Sequence, residues 1–185
     1  MIWYLLCLGE KMAINKDCTK NELAKKYEEC FKEMYEICEA AGFGDPFSYA
    51  RSREILMAVH LEHEIANDYS GADAYNKDNL PVEYKSTISK KISATYNGVS
   101  VQPTWEEQER YLREEKIGKY PEHYFARFED GQIAEVYRAS GDDVLKTLLP
   151  KFERQYNSSS NRKDPRLGAT LSEREINQIA TRIVY

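Results

Sequence analysis

The sequence predicts a mixed α/β fold, a central mixed sheet flanked by helices, on three observations. Long polar segments carry apolar residues at steps of three and four, the mark of amphipathic helices. Shorter segments alternate apolar and polar residues, the mark of half-buried strands. The two kinds follow one another as helix, three extended segments, helix and strand through the middle of the chain.

The 185 residues suffice for one domain over 1–185 with a sizeable core. With 42% hydrophobic and 31% charged residues, the composition is that of a globular chain rather than a disordered one. A formal net charge of -5 excludes a surface coated in positive charge but leaves room for a local basic face. Fourteen tyrosines suit a groove or interface that is half polar and half apolar. Cys7, Cys18, Cys30 and Cys38 show no C-x-x-C and no zinc-finger spacing, which points to reduced thiols and a cytoplasmic location.

Residues 1–8 (MIWYLLCL) are apolar but too short to span a membrane and lack a signal peptide's basic leader. Residues 1–11 are read either as an edge strand or as an extension upstream of a start at Met12. The spacing predicts a helix over Lys20–Ala41, capped by Thr19 with Glu22 and stopped by Gly42. Its stripe of Leu23, Tyr27, Cys30, Phe31, Met34, Ile37 and Cys38 suggests packing or dimerisation rather than chemistry. A second helix is expected over Ser48–Asn67, burying Ile55, Leu56, Val59, His63 and Ala66. Its HLEHE run lacks the spacing of zinc hydrolases or di-iron bundles, so a zinc site there is the weakest reading. A turn over Asn76–Pro81 separates two short extended pieces. Ser86–Gln102 reads as extended with a turn at Asn97–Gly98, and Thr104 caps a helix to about Ile117 that Gly118 ends. Residues 122–128 and 132–138 form a hairpin. Asp142–Tyr156 is helical, with Pro150 expected to kink or shorten it. Residues 157–170 are read as a basic loop, and Ser172–Arg182 as a last short helix.

The chemistry concentrates in Gly71–Ser86. In a strand, Val82 and Tyr84 face a core while Glu83 and Lys85 share the other face. If the turn at 76–81 closes a hairpin, Asp73 comes beside Glu83. Two carboxylates that close do not both ionise unless a cation joins them, and hard oxygen ligands suit Mg²⁺. The Glu-x-Lys pattern is weak alone, since composition predicts roughly two or three [D/E]-x-K matches. Two occur, and Glu114-x-Lys116 lies within a helix, where i and i+2 do not share a face.

Asp73, Glu83 and Lys85, within that order of elements, resemble the PD-(D/E)xK nuclease superfamily, and GADAY…VEYKST looks most like a type II restriction endonuclease. Ala72 stands where the named motif has proline. The likeness covers roughly residues 50–130. It implies a restriction-endonuclease-like αβββαβ core and Mg²⁺-dependent, site-specific hydrolysis of double-stranded DNA to 5′-phosphate and 3′-hydroxyl ends. Mn²⁺ is the expected substitute. It further implies that Asp73, Glu83 and the Tyr84 carbonyl hold the metal, that Lys85 steers the attacking water, and that Glu54, or after it Glu62, is a fourth acid. Lys90, Lys91, Asn97, Gln102, Arg162, Lys163 and Arg166 are the candidate DNA contacts. Palindromic sites imply a homodimer, with a DNA methyltransferase as a possible companion. Two other readings stay open: a repair or recombination nuclease of the same superfamily, and a non-catalytic interaction module.

Overall fold

The computed structural model describes residues 18–67, 71–158 and 166–183, and these form a mixed α/β structure. The elements are α1 (Lys20–Ala41), α2 (Arg51–Leu61), β1 (Glu64–Ile65), β2 (Ala74–Tyr75), β3 (Pro81–Thr87) and β4 (Ala94–Val99). They continue with α3 (Trp105–Tyr111), β5 (Glu122–Glu129), β6 (Gln132–Ser140), α4 (Gly141–Asn157), β7 (Leu167–Leu171), α5 (Glu173–Ile179) and β8 (Thr181–Ile183).

Six strands make the central sheet in the order β1-β2-β3-β5-β6-β8. The β3–β5 pair is parallel and the other neighbours are antiparallel. That parallel pair needs a long crossover, which β4 and α3 supply. β4 leaves the central sheet and pairs with β7 as a separate two-stranded sheet. One face of the central sheet packs Val82, Tyr84, Tyr124 and Phe128 against Met57 and Ala58 of α2. The other packs Phe125 and Ala139 against Leu145, Leu148 and Phe152 of α4 and against the β4–β7 layer.

Several local expectations hold because their causes are local. Thr19 forms a capping box with Glu22, and Gly42 closes α1 at φ +70°. The hairpin turn uses Asp130 and Gly131, both at positive φ, which its tight geometry demands. Thr104 caps α3 in a capping box with Glu107, and the helix runs on through a π-helical turn at Leu112–Lys116. The second Glu-x-Lys match, Glu114 to Lys116, therefore sits on an exposed helical segment.

Others are corrected. α2 ends at Leu61, because Glu62 turns left-handed at φ +56° and sends the chain into β1. The helix buries Arg51, Met57 and Ala58, while Leu56 and Val59 face outward. Asn97–Gly98 is a bulge inside β4, not a turn, with Gly98 at φ +68°. Pro150 does not end α4, which continues to Asn157 with Phe152 anchored in the core. Residues 167–170, read as loop, belong to β7, because Leu167, Ala169 and Leu171 alternate inward against β4. The last helix stops at Ile179, and Thr181–Ile183 adds an edge strand to β6. Residues 1–11, with Cys7, lie outside the described residues. Among those described, no helix is long and apolar enough to cross a membrane.

Gly141 begins α4 directly behind β5. A Cβ there would run into the Tyr120 carbonyl and come within 3.6 Å of His123 Nε2. Gly141→Ala should therefore destabilise the chain by about 1–3 kcal/mol, read as a lower urea midpoint at unchanged slope.

Candidate functional site

Asp73 is fixed by backbone bonds on both sides. Its N–H donates to the Val82 carbonyl (3.1 Å), and its carbonyl accepts from the Ala66 N–H (3.3 Å). The hairpin behind it closes as Asn76 N–H bonds the Leu80 carbonyl, with Asn79 left-handed. Ala74 then stands opposite Val82 in the β2–β3 register. The carboxylate of Asp73 turns to β3 and accepts the Tyr84 amide at 2.6 Å.

On β3, Val82 and Tyr84 are buried on the α2 side. Glu83 and Lys85 occupy the opposite face, and Lys85 Nζ pairs with Glu83 Oε1. The same ammonium lies 3.2 Å from the Tyr84 carbonyl. Two carboxylates, one carbonyl oxygen and one ammonium thus converge where the sequence placed them.

The charges act on one another. Burial, with the charges of Glu83 and Glu54 behind it, pushes Asp73 up to about 7, against the pull of Lys85 and the Tyr84 amide. Burial opposes the charged form of Lys85, but Glu83 and Asp73 outweigh it and its value is raised. Lys85 accordingly stays an ammonium.

Glu54 reaches the site from α2, where its charge acts on both Asp73 and Lys85. It is steadied by Arg51, whose Nη1 lies 3.4 Å from Glu54 Oε2. Arg51 itself is 2% exposed. It donates to the Phe43 carbonyl (2.6 Å) and to the Ala66 carbonyl, so it ties the α1–α2 connection and the end of β1 to α2. Glu62 is not a second candidate, for it is exposed and paired with Lys77 beyond the helix end.

Two further residues support Lys85. The Tyr96 ring lies 5.1 Å below its ammonium, a cation–π distance. The Tyr96 hydroxyl meets His123 Nδ1 at 2.8 Å, and His123 Nε2 meets the Ile117 carbonyl at 3.1 Å. A carbonyl only accepts, so Nε2 carries the proton and Nδ1 accepts from the phenol. Burial pulls His123 down to about 4, which keeps it neutral. His123 stands opposite Glu83 in the parallel β3–β5 register. No spacing in the sequence links residues 85, 96 and 123. Only the crossover brings them together.

A cleft of about 120 Å³ opens beside Glu83 and Lys85, lined also by Thr95, Asn97 and Lys116. Asn97 also borders a groove of about 360 Å³ that contains Gly98, Gln155, Arg166 and Gly168. Of the candidate DNA contacts, Asn97 thus adjoins the site and Arg166 the neighbouring groove. Lys90 and Lys91 lie on the exposed approach to β4, with Lys91 3.8 Å from Glu173. Gln102 faces elsewhere, beside Glu107, Glu114 and Glu115. Arg162 and Lys163 lie outside the described residues. A wider cavity of about 620 Å³ is lined by His60, His63, Lys77, Glu122 and Arg138, and Asp73, Glu83 and Lys85 are not among its lining residues. Its His63 bonds the Tyr84 hydroxyl (2.8 Å). Among the described residues, no three His, Cys, Asp or Glu side chains are grouped as round a metal ion, at HLEHE or elsewhere.

Asp73 has a stability signature. Its folded value, about 7, lies above the ordinary 3.8. The folded chain keeps a proton that the unfolded chain releases. That contribution is complete below about pH 4 and is lost as pH rises towards about pH 7, at about 1.4 kcal/mol per unit of separation. Asp73→Asn cannot ionise and should flatten this slope, melting above the wild type in neutral metal-free buffer. Tyr96→Phe leaves His123 Nδ1 buried without a donor and should cost about 1–3 kcal/mol in chemical denaturation. No family model and no curated protein matches the chain.

Proposed function

We propose that the protein is a Mg²⁺-dependent endonuclease that cuts double-stranded DNA at specific sites, in the manner of a type II restriction enzyme. The observation that carries this is the convergence of Asp73, Glu83, the Tyr84 carbonyl and Lys85 at one partly buried spot. The donor set fits the ion. Mg²⁺ takes hard oxygens and commonly binds through one or two carboxylates together with substrate phosphate. Asp73, Glu83 and the Tyr84 carbonyl would hold it. When bound, Mg²⁺ polarises the phosphate and relieves charge on the departing oxygen.

The chain's own residues supply the rest. Lys85, held as an ammonium by two carboxylates, orients the attacking water and steadies charge on the phosphate. It acts as a fixed positive charge rather than as a base. Tyr96 and His123 hold it from below. Glu54 adds a third negative charge from α2, positioned by Arg51. The bond broken is the one to the 3′ oxygen, leaving 5′-phosphate and 3′-hydroxyl ends. DNA would run from the Glu83–Lys85 cleft past Asn97 to the groove at Arg166. Basic residues there would hold phosphates, and Asn97 could reach a base edge.

Purified protein with unmethylated plasmid DNA and Mg²⁺ or Mn²⁺ should give discrete fragments with 5′-phosphate ends. Lys85→Ala and Asp73→Ala should each lower the cutting rate by at least about a hundredfold while thermal unfolding stays cooperative. A smear, or cutting only at branches and ends, would instead indicate a nuclease that reads structure. Failure to cut any DNA with either ion would remove the catalytic reading.

A further inference from the structure

Among the described residues, helix α1 carries a long apolar stripe that the fold leaves uncovered. Only Cys38 of its 22 residues is buried. Tyr27 is 71% exposed, Ile37 55% and Met34 42%. Among the described residues, no other helix or strand packs along it. Phe31 stacks on Phe47 of the following loop, centroids 3.7 Å apart. A 22-residue helix is about 33 Å long, and in water most of a helix's stability comes from burying its apolar face.

The exposed face has a heptad seam. Leu23, Tyr27, Cys30, Met34, Ile37 and Ala41 alternate steps of four and three, the period of a two-helix coiled coil. Charge is divided along the same helix. Its first turns hold Lys20, Lys25 and Lys26 with Glu22, whereas its later turns hold Glu28, Glu29, Glu33, Glu36 and Glu39 with Lys32. Lys26 and Glu33 flank the seam on one side, one heptad apart.

We propose that α1 pairs antiparallel with α1 of a second copy of this chain, seam to seam about a two-fold axis. With Tyr27 beside Cys30 of the second copy, Lys26 falls beside Glu33 of that copy, and Glu33 beside its Lys26. Each basic end then covers an acidic end. A parallel pair would stack like charges and align the helix dipoles. The pairing is isologous, so it closes at two copies. It does not depend on the chemistry of the Asp73 site.

Analytical ultracentrifugation from low to high micromolar concentration tests it. The wild type should sediment at twice its 21.5 kDa. Tyr27→Glu with Met34→Glu, both on the exposed face, should leave circular dichroism of the fold intact and give a monomer. Lys26→Glu or Glu33→Lys alone should raise the dimer dissociation constant by roughly tenfold, the scale of two exposed ion pairs turned repulsive. The double exchange, Lys26→Glu with Glu33→Lys, should restore it. A wild type that stays monomeric overturns the proposal and leaves the stripe to another segment or a foreign protein. A dimer unaffected by Tyr27→Glu with Met34→Glu also overturns it. Single exchanges that the double does not rescue overturn the antiparallel register.

Discussion

The hydrogen bond from the Tyr84 amide to the Asp73 carboxylate, 2.6 Å, joins the turn before β2 to the strand that carries Glu83 and Lys85. Asp73 would otherwise end a short edge piece. Its backbone is already held between β1 and β3, and the amide fixes where its side chain points. A second carboxylate then follows one residue away in the register, and the two repel in a partly buried setting. The neighbourhood answers with one ammonium, and the cost stays concentrated on Asp73. A group held near neutrality by such a conflict is a common mark of a working site.

The layers of the fold serve that spot from both sides. α2 packs behind Val82 and Tyr84, and the same helix brings Glu54 forward on a buried arginine. On the other face, the parallel pairing of β3 with β5 sets His123 opposite Glu83. The crossover between them returns Tyr96 under Lys85. A buried neutral histidine and a protonated phenol make a polar support that cannot compete for the carboxylates' charge. Because β4 pairs with β7 rather than with the central sheet, the bulge at Asn97–Gly98 borders the cleft instead of lying inside a ladder.

Helix α1 shows how a correct element can carry a misleading face. Its ends, cap and period were legible because capping and periodicity are properties of neighbouring residues. The burial of its stripe was not, since burial depends on what lies opposite, and among the described residues little does. The same distinction explains α2, where the stripe led to Leu56 and Val59 but the sheet receives Met57 and Ala58. A left-handed residue at Glu62 ended that helix without any glycine or proline to announce it.

What the sequence determined by itself was short-range. Alternation over 82–85 told which side chains share a face, the turn residues at 76–81 told that Asp73 returns to them, and capping residues told where α1 and α3 begin. Each of these follows from backbone geometry within a dozen residues. The tertiary structure alone decided that Glu54 rather than Glu62 acts on Asp73, that Tyr96 and His123 support Lys85, and that β4 pairs with the distant β7. Those contacts depend on strand order and layer packing, which link distant segments through burial, and burial leaves no spacing in the chain to read.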